Sequence, residues 1–133
     1  MYLDDANVVA DLPSAAQLQS YRAQGVRIWA PPLFALLTTN HLNRIVPSSY
    51  ARNARAAGLD IITWTIERSG RLNEDMKNGA AGTFYYQTTL DAVQGDGDIY
   101  TTLDVLARQV RILGIFSDWP ATVTYYANCM GLR

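Results

Sequence analysis

The sequence predicts an α/β fold built on parallel strands. Three observations carry this: near-continuous apolar runs at 26–30, 59–66 and 112–116, helical segments lying between them, and 49% hydrophobic against 17% charged residues in 133. Strands that are apolar on both faces need cover on both faces, which is the situation of a parallel sheet flanked by helices. The length fits one domain or part of one.

The elements follow in order. A weak first strand falls within the first ten residues, at Tyr2-Leu3 or Val8-Val9. Pro13 to Gln24 reads as a helix, with Leu18 and Tyr21 three apart and Gly25 as its stop. Val26 to Ala30 reads as a strand halted by Pro31-Pro32, which cannot donate to a ladder. Thr38 to Asn43 is a polar loop. Ser48 to Ala57 is a helix with a serine suited to its N-cap, Ala51 and Ala54 on one face, and Gly58 at its end. Leu59 to Ile66 is rich in β-branched and aromatic residues and reads as the strongest strand.

The rhythm breaks from Gly70 to Asp98. Four glycines (Gly79, Gly82, Gly95, Gly97), the aromatic cluster Phe84-Tyr85-Tyr86 and the turn-like Gly95-Asp96-Gly97-Asp98 predict a long active-site loop with a short helix near Thr88 to Val93. Asp96-Gly97-Asp98 is too short for a calcium-binding EF-hand loop. Ile99 to Arg111 then predicts the clearest helix, since Ile99, Leu103, Leu106, Val110 and Leu113 form one apolar stripe. Ile112 to Phe116 is a short strand, and Pro120 opens a last helix.

Composition narrows the function. With 11 Lys and Arg against 12 Asp and Glu, the chain has no basic excess for nucleic acid or an anionic membrane. A single cysteine, Cys129, makes no internal disulfide and reads as an idle or buried thiol; a single histidine, His41, excludes His-rich zinc sites and any two-histidine mechanism from this chain. No secretory signal and no membrane-spanning apolar run are visible, so the chain as written reads as cytoplasmic, or as a piece separated from an upstream targeting sequence.

Parallel α/β folds bind ligands at the C-terminal ends of their strands. Here those ends are Pro31-Pro32, Trp64 to Ser69, and Ser117-Asp118-Trp119. Glu67 and Asp118 are suited to metal binding or to holding a basic group. Alternatively, Glu67 pairs with Arg68 or Arg71, and Asp118 caps the helix that starts at Pro120. His41 is a solvated loop residue or a general base. The N–H groups of Ala121, Thr122 and Val123 form a helix end suited to phosphate. Trp64, Trp119, Tyr85 and Tyr86 line a cleft or belong to the core.

Two stretches resemble a known family. Gly58-Leu-Asp-Ile-Ile-Thr-Trp-Thr-Ile-Glu67 and Leu113-Gly-Ile-Phe-Ser-Asp-Trp-Pro120 resemble the last two strands of the glycerophosphodiester phosphodiesterase family, with its Trp-Thr strand end and its Gly-Ile-x-[Ser/Thr]-Asp-aromatic-Pro ending. Ile45-Val46-Pro47-Ser48 and Thr122 to Gly131 look like an exported microbial subgroup of it. The resemblance implies that residues 1–133 are the C-terminal half of a TIM-type (β/α)8 barrel, about four parallel strands with intervening helices. It further implies metal-dependent hydrolysis of glycerophosphodiesters to an alcohol and glycerol 3-phosphate, with Ca²⁺ or Mg²⁺ polarising a phosphoryl oxygen while histidines move protons.

The family's His-Arg-Gly motif, its second catalytic histidine and its principal metal ligands have no counterpart here. What carries over is Trp64 as a cleft-lining residue, Glu67 as a substrate contact or a support behind one, and Asp118 as a structural acid at a strand end. With the residues read directly, the candidate substrate contacts are Trp64, Glu67, Trp119 and Thr122, the catalytic candidates Glu67 and His41, and the metal candidates Glu67 and Asp118. Two other functions stay open: a short metal-dependent ester or lactone hydrolase, and a non-catalytic binding or assembly module. The expected partner is a small phosphodiester or ester substrate. Half a barrel also leaves open strand edges through which copies of the chain are expected to associate.

Overall fold

The computed structural model describes residues 1–67 and 84–132. Its frame is a four-stranded parallel sheet whose spatial order follows the chain: β1 (Tyr2–Leu3), β2 (Ile28–Ala30), β5 (Asp60–Trp64) and β6 (Gly114–Phe116). The register sets Leu3 beside Ala30, Trp29 beside Ile61, and Trp64 beside Phe116, so all four strands end on one side. Helices α1 (Ala15–Ala23), α2 (Ser49–Ala56), α3 (Asp98–Asp104) and α4 (Pro120–Cys129) lie between or after the strands. This is the α/β class expected from the apolar runs.

Helix boundaries follow local chemistry. Ser14 accepts the N–H of Gln17 while Gln17 Oε1 accepts the N–H of Ser14, a reciprocal box that closes the start of α1. At its end Gly25 turns left-handed, with φ 90°, and the N–H groups of Gly25 and Val26 return to the carbonyls of Arg22 and Tyr21. That motif consumes Val26, which is why β2 begins at Ile28 and not at the expected position 26. Gly58, φ 75°, closes α2 in the same way.

Three differences from the sequence expectation have physical reasons. Thr38 to Asn43 is not a free loop: β3 (Leu37–Thr39) and β4 (Ile45–Pro47) form an antiparallel hairpin whose turn holds His41, with Asn43 at φ 53°. The helix expected to run to Arg111 changes pitch after Asp104 into wide π-type turns over Val105–Val110. In an α-helix two residues five apart diverge by roughly 140°, whereas the wide turn brings Val105 and Val110 both into the core. Leu113, expected on the same stripe, is 62% exposed. Finally, the helix expected near Thr88 to Val93 is a single tight turn at Leu90–Ala92, and residues 70–83 of the expected loop lie outside the described residues.

The core sits between sheet and helices. Trp29, Ile61, Leu18, Leu59 and Leu106 are fully enclosed, as are Leu33 to Leu36 in the connection after β2 and Leu37 at the start of β3. Each large apolar side chain so buried contributes about 1.5–3 kcal/mol. A connection can run inside only if its polar backbone is paired. Here Ala35 and Leu36 donate back to Pro32 and Leu33, Ser48 donates its N–H to Leu36, and the Ser48 hydroxyl donates to Ala35 at 2.6 Å. The two outer strands are less well covered: Leu3 is 59% exposed and Phe116 is 55% exposed.

Candidate functional site

The site is built where the strands end. Proline has no N–H, so the sheet cannot continue as an ordinary ladder past Ala30, and side chains take over the pairing. The Ala30 carbonyl accepts the N–H of Asp4 at 3.0 Å and the indole N–H of Trp64 at 3.1 Å. The Pro31 carbonyl accepts the Thr63 hydroxyl at 2.9 Å. These bonds fix the Trp64 ring against the end of β2, and Tyr85 meets it edge-on with centroids 5.8 Å apart. The Trp64–Thr65 peptide bond is cis.

Beyond β5 the chain is tied to the end of β6. The Thr65 hydroxyl donates to the Phe116 carbonyl at 3.0 Å. Glu67, 7% exposed, accepts the Ser117 hydroxyl at 2.6 Å on Oε1 and the Asp118 N–H at 3.1 Å on Oε2. Two charge-assisted bonds to one buried carboxylate make a rigid support for the loop that carries Asp118 and Trp119. Tyr86 is fully buried in the core, its hydroxyl donating to the Ile66 carbonyl at 2.8 Å. Burial first, and then the charge of Glu67, push its phenol well above the usual tyrosine range, so it is a neutral donor.

Trp64, Thr65, Tyr85, Phe116, Ser117 and Asp118 enclose a cleft of about 260 Å³. A broader concavity of about 460 Å³ lies between α3 and α4 around Tyr100, Tyr125 and Cys129. The smaller cleft is the better candidate, because aromatic walls meet a carboxylate and hydroxyls at parallel strand ends there.

The structure brings together Trp64, Glu67 and Asp118 among the residues singled out in the sequence. Glu67 lies beneath the cleft as a support, with both oxygens occupied; Arg68 and Arg71, its alternative partners, lie outside the described residues. Asp118 does not cap α4. The N-cap position is Trp119, without a side-chain cap bond, and the Asp118 carboxylate lies 3.5 Å from the Thr65 hydroxyl. Trp119 is 62% exposed at the start of α4, beside the cleft and not in its wall. The N–H of Thr122 donates to the Trp119 carbonyl at 3.0 Å, which removes one donor from the expected phosphate-binding end. His41 is exposed in the hairpin turn and does not line the cleft. Cys129 is an exposed free thiol near the end of α4.

One strand-end acid escaped sequence analysis. Asp4, directly after β1 and 5% exposed, accepts the Trp29 indole N–H at 2.9 Å and the Ala6 N–H at 3.2 Å. The strand-end rule that selects Glu67 and Asp118 selects Asp4 too, once Tyr2-Leu3 is accepted as a strand. The two described strand-end acids that are buried, Asp4 and Glu67, therefore spend their oxygens on protein donors. Among the described residues no three His, Cys, Asp or Glu side chains gather as a metal-ligand set. The described residues thus do not by themselves fit the divalent ion that the resemblance implies. No helix among them is long and apolar enough to cross a membrane.

No family model matches the chain, and no solved structure matches it significantly. It is 48% identical over 119 residues to a protein of Arthroderma benhamiae named "Extracellular protein". The similarity covers 90% of this chain and 47% of that protein, so the chain spans about half the length of the curated relative it matches.

Proposed function

We propose that the chain is half of a glycerophosphodiester phosphodiesterase-like (β/α)8 barrel and supplies one wall of its substrate cleft. The observation that carries this reading is the sheet order: four parallel strands in chain order, with helices along them, correspond to half of an eight-stranded barrel. The outer strands β1 and β6 then each await a neighbour, which accounts for the exposed Leu3 and Phe116. The resemblance motifs lend support, since Trp64 to Glu67 and Ser117 to Trp119 are the segments that meet at the strand ends.

In this reading Trp64 and Tyr85 form an apolar wall for the glycerol or alcohol portion of a phosphodiester. Ser117 and Thr65 hold the strand-end loops in place, and Glu67 keeps Asp118 at the rim. Glu67 acts through its neighbours and is a positioning residue. The Ca²⁺ or Mg²⁺ that such a hydrolase uses, and the histidines that move protons, belong to groups other than the described residues. The relative's name further leads us to place the working protein outside the cell.

The test is a chimera in which this chain replaces the matching segment of the Arthroderma benhamiae relative. It is assayed for release of glycerol 3-phosphate from a glycerophosphodiester, with Ca²⁺ or Mg²⁺ and with chelator. Hydrolysis that disappears with chelator and falls at least roughly tenfold in Trp64→Ala supports the reading, about the effect of losing one well-placed substrate contact. A well-folded chimera and relative that both leave the substrate intact refute it.

A further inference from the structure

At the other end of the sheet lies a groove that the cleft chemistry does not use. It has a volume of about 270 Å³ and is walled by Arg52 and Arg55 of α2 and by Arg111 after the wide turns. Ala51 and Val110, both buried, give it an apolar floor. Asp60 and Arg111 stand at or just before the first residues of β5 and β6, whereas Trp64 and Phe116 are the last residues of those parallel strands. The groove and the cleft therefore open at opposite ends.

Its charge is poorly compensated. Arg52 spends one Nη1 bond on the Pro47 carbonyl at 2.7 Å, which fixes the guanidinium and leaves most of its five donors unspent. Arg55 reaches Asp60 only at 3.5 Å, in an exposed pair that contributes little stability. The backbone N–H of Arg111 donates to the Leu106 carbonyl, but its guanidinium makes no hydrogen bond or ion pair with any described residue, and its left-handed backbone, φ 62°, sets it at the mouth of the groove. No carboxylate lines the cavity. Three guanidinium forks around one concavity suit a dianionic tetrahedral group better than a carboxylate, because such a group offers enough oxygens for several bidentate contacts.

We propose that this groove is a binding site for a soluble phosphomonoester or inorganic phosphate, held by Arg52, Arg55 and Arg111. The site stands apart from the proposed hydrolase reading and does not depend on it. Because a phosphomonoester group also occurs on lipid headgroups, the experiment has two arms. In the first, inorganic phosphate is titrated calorimetrically into the protein at constant ionic strength. Saturable binding is expected, weakened roughly tenfold or more by Arg111→Gln, as befits loss of one charge-assisted contact.

Gln109→Glu, an exposed change that adds a carboxylate to the lining, should weaken it similarly, while Arg111→Lys keeps part of the affinity and Arg44→Gln all of it. Each variant is first shown to melt at the temperature of the parent. In the second arm, vesicles containing phosphatidic acid are compared with phosphatidylcholine vesicles by co-sedimentation. Absence of phosphate binding, equal binding by the Arg111→Gln and Gln109→Glu variants, or binding to phosphatidic acid vesicles alone overturns the proposal.

Discussion

Ser117 and Glu67 are joined by a hydrogen bond of 2.6 Å across fifty residues of sequence, and this bond fastens the end of β6 to the end of β5. The next residue, Asp118, adds its N–H to the second carboxylate oxygen. Glu67→Gln keeps the volume but has one acceptor oxygen, so one of these two donors loses its partner. The expected cost is about 1–3 kcal/mol, read from urea denaturation. An unchanged unfolding free energy would show that the pair supports nothing.

Alkaline stability depends on Tyr86. Its folded phenol titrates well above the ordinary value of 10, so the folded state holds the proton more tightly than the unfolded chain. The associated stability is fully present below pH 10 and is lost as the pH rises from there through the folded value. The urea midpoint should therefore stay level from about pH 7 to 9 and fall above about pH 10. In Tyr86→Phe the fall is shallower. Some slope persists, because Tyr2 is also raised, to about 12, chiefly by its hydrogen bond with Tyr21, and Tyr126 is raised by burial. Equal slopes in both proteins contradict the assignment.

Thr102 is fully enclosed in α3, and its hydroxyl has no hydrogen-bond partner among the described residues. Valine has the same shape without the unsatisfied oxygen. Thr102→Val should stabilise the protein by about 1 kcal/mol, the lower end of what a buried unpaired hydroxyl costs. A lower melting temperature in the variant would mean that the hydroxyl is satisfied in solution.

The isolated chain should self-associate through its outer strands. Light scattering is expected to give a mass above the 14.7 kDa of one copy, rising with concentration. Leu3→Lys combined with Phe116→Lys places charges on both edges and should return the mass toward one copy. A sharp monomer at every concentration, with a cooperative melt, would show that the edges are already covered.

Strand β5 and helix α2 were legible in the sequence because local signals agree: β-branched residues from Ile61 to Thr65, a serine at the N-cap and Gly58 at the stop. Trp64 and Asp118 stand out in the sequence as strand-end residues because parallel α/β folds gather their sites at the C-terminal ends of strands. The hairpin was not legible, since three-residue strands such as Leu37–Thr39 carry too short a pattern to separate from a loop. Nor was the widening at Val105, where an α-helical stripe fits the apolar residues equally well until the buried face is known. Glu67 and Ser117 each stood out as strand-end residues, but their contact is a product of the β5–β6 register and has no local signature.

The hairpin tip has a mechanical role. Asn43 donates its side-chain N–H to the Asp91 carbonyl at 2.6 Å, Thr88 donates to Phe34 at 3.1 Å, and Gln87 donates to Asn7 at 3.3 Å. The stretch from 84 to 93 that presents Tyr85 to the cleft is thus stitched to distant surface points and takes its stiffness from them. A clamp on the turn at Asn43, such as an antibody fragment, would pull on the aromatic wall from outside and offers a handle on the cleft that never enters it.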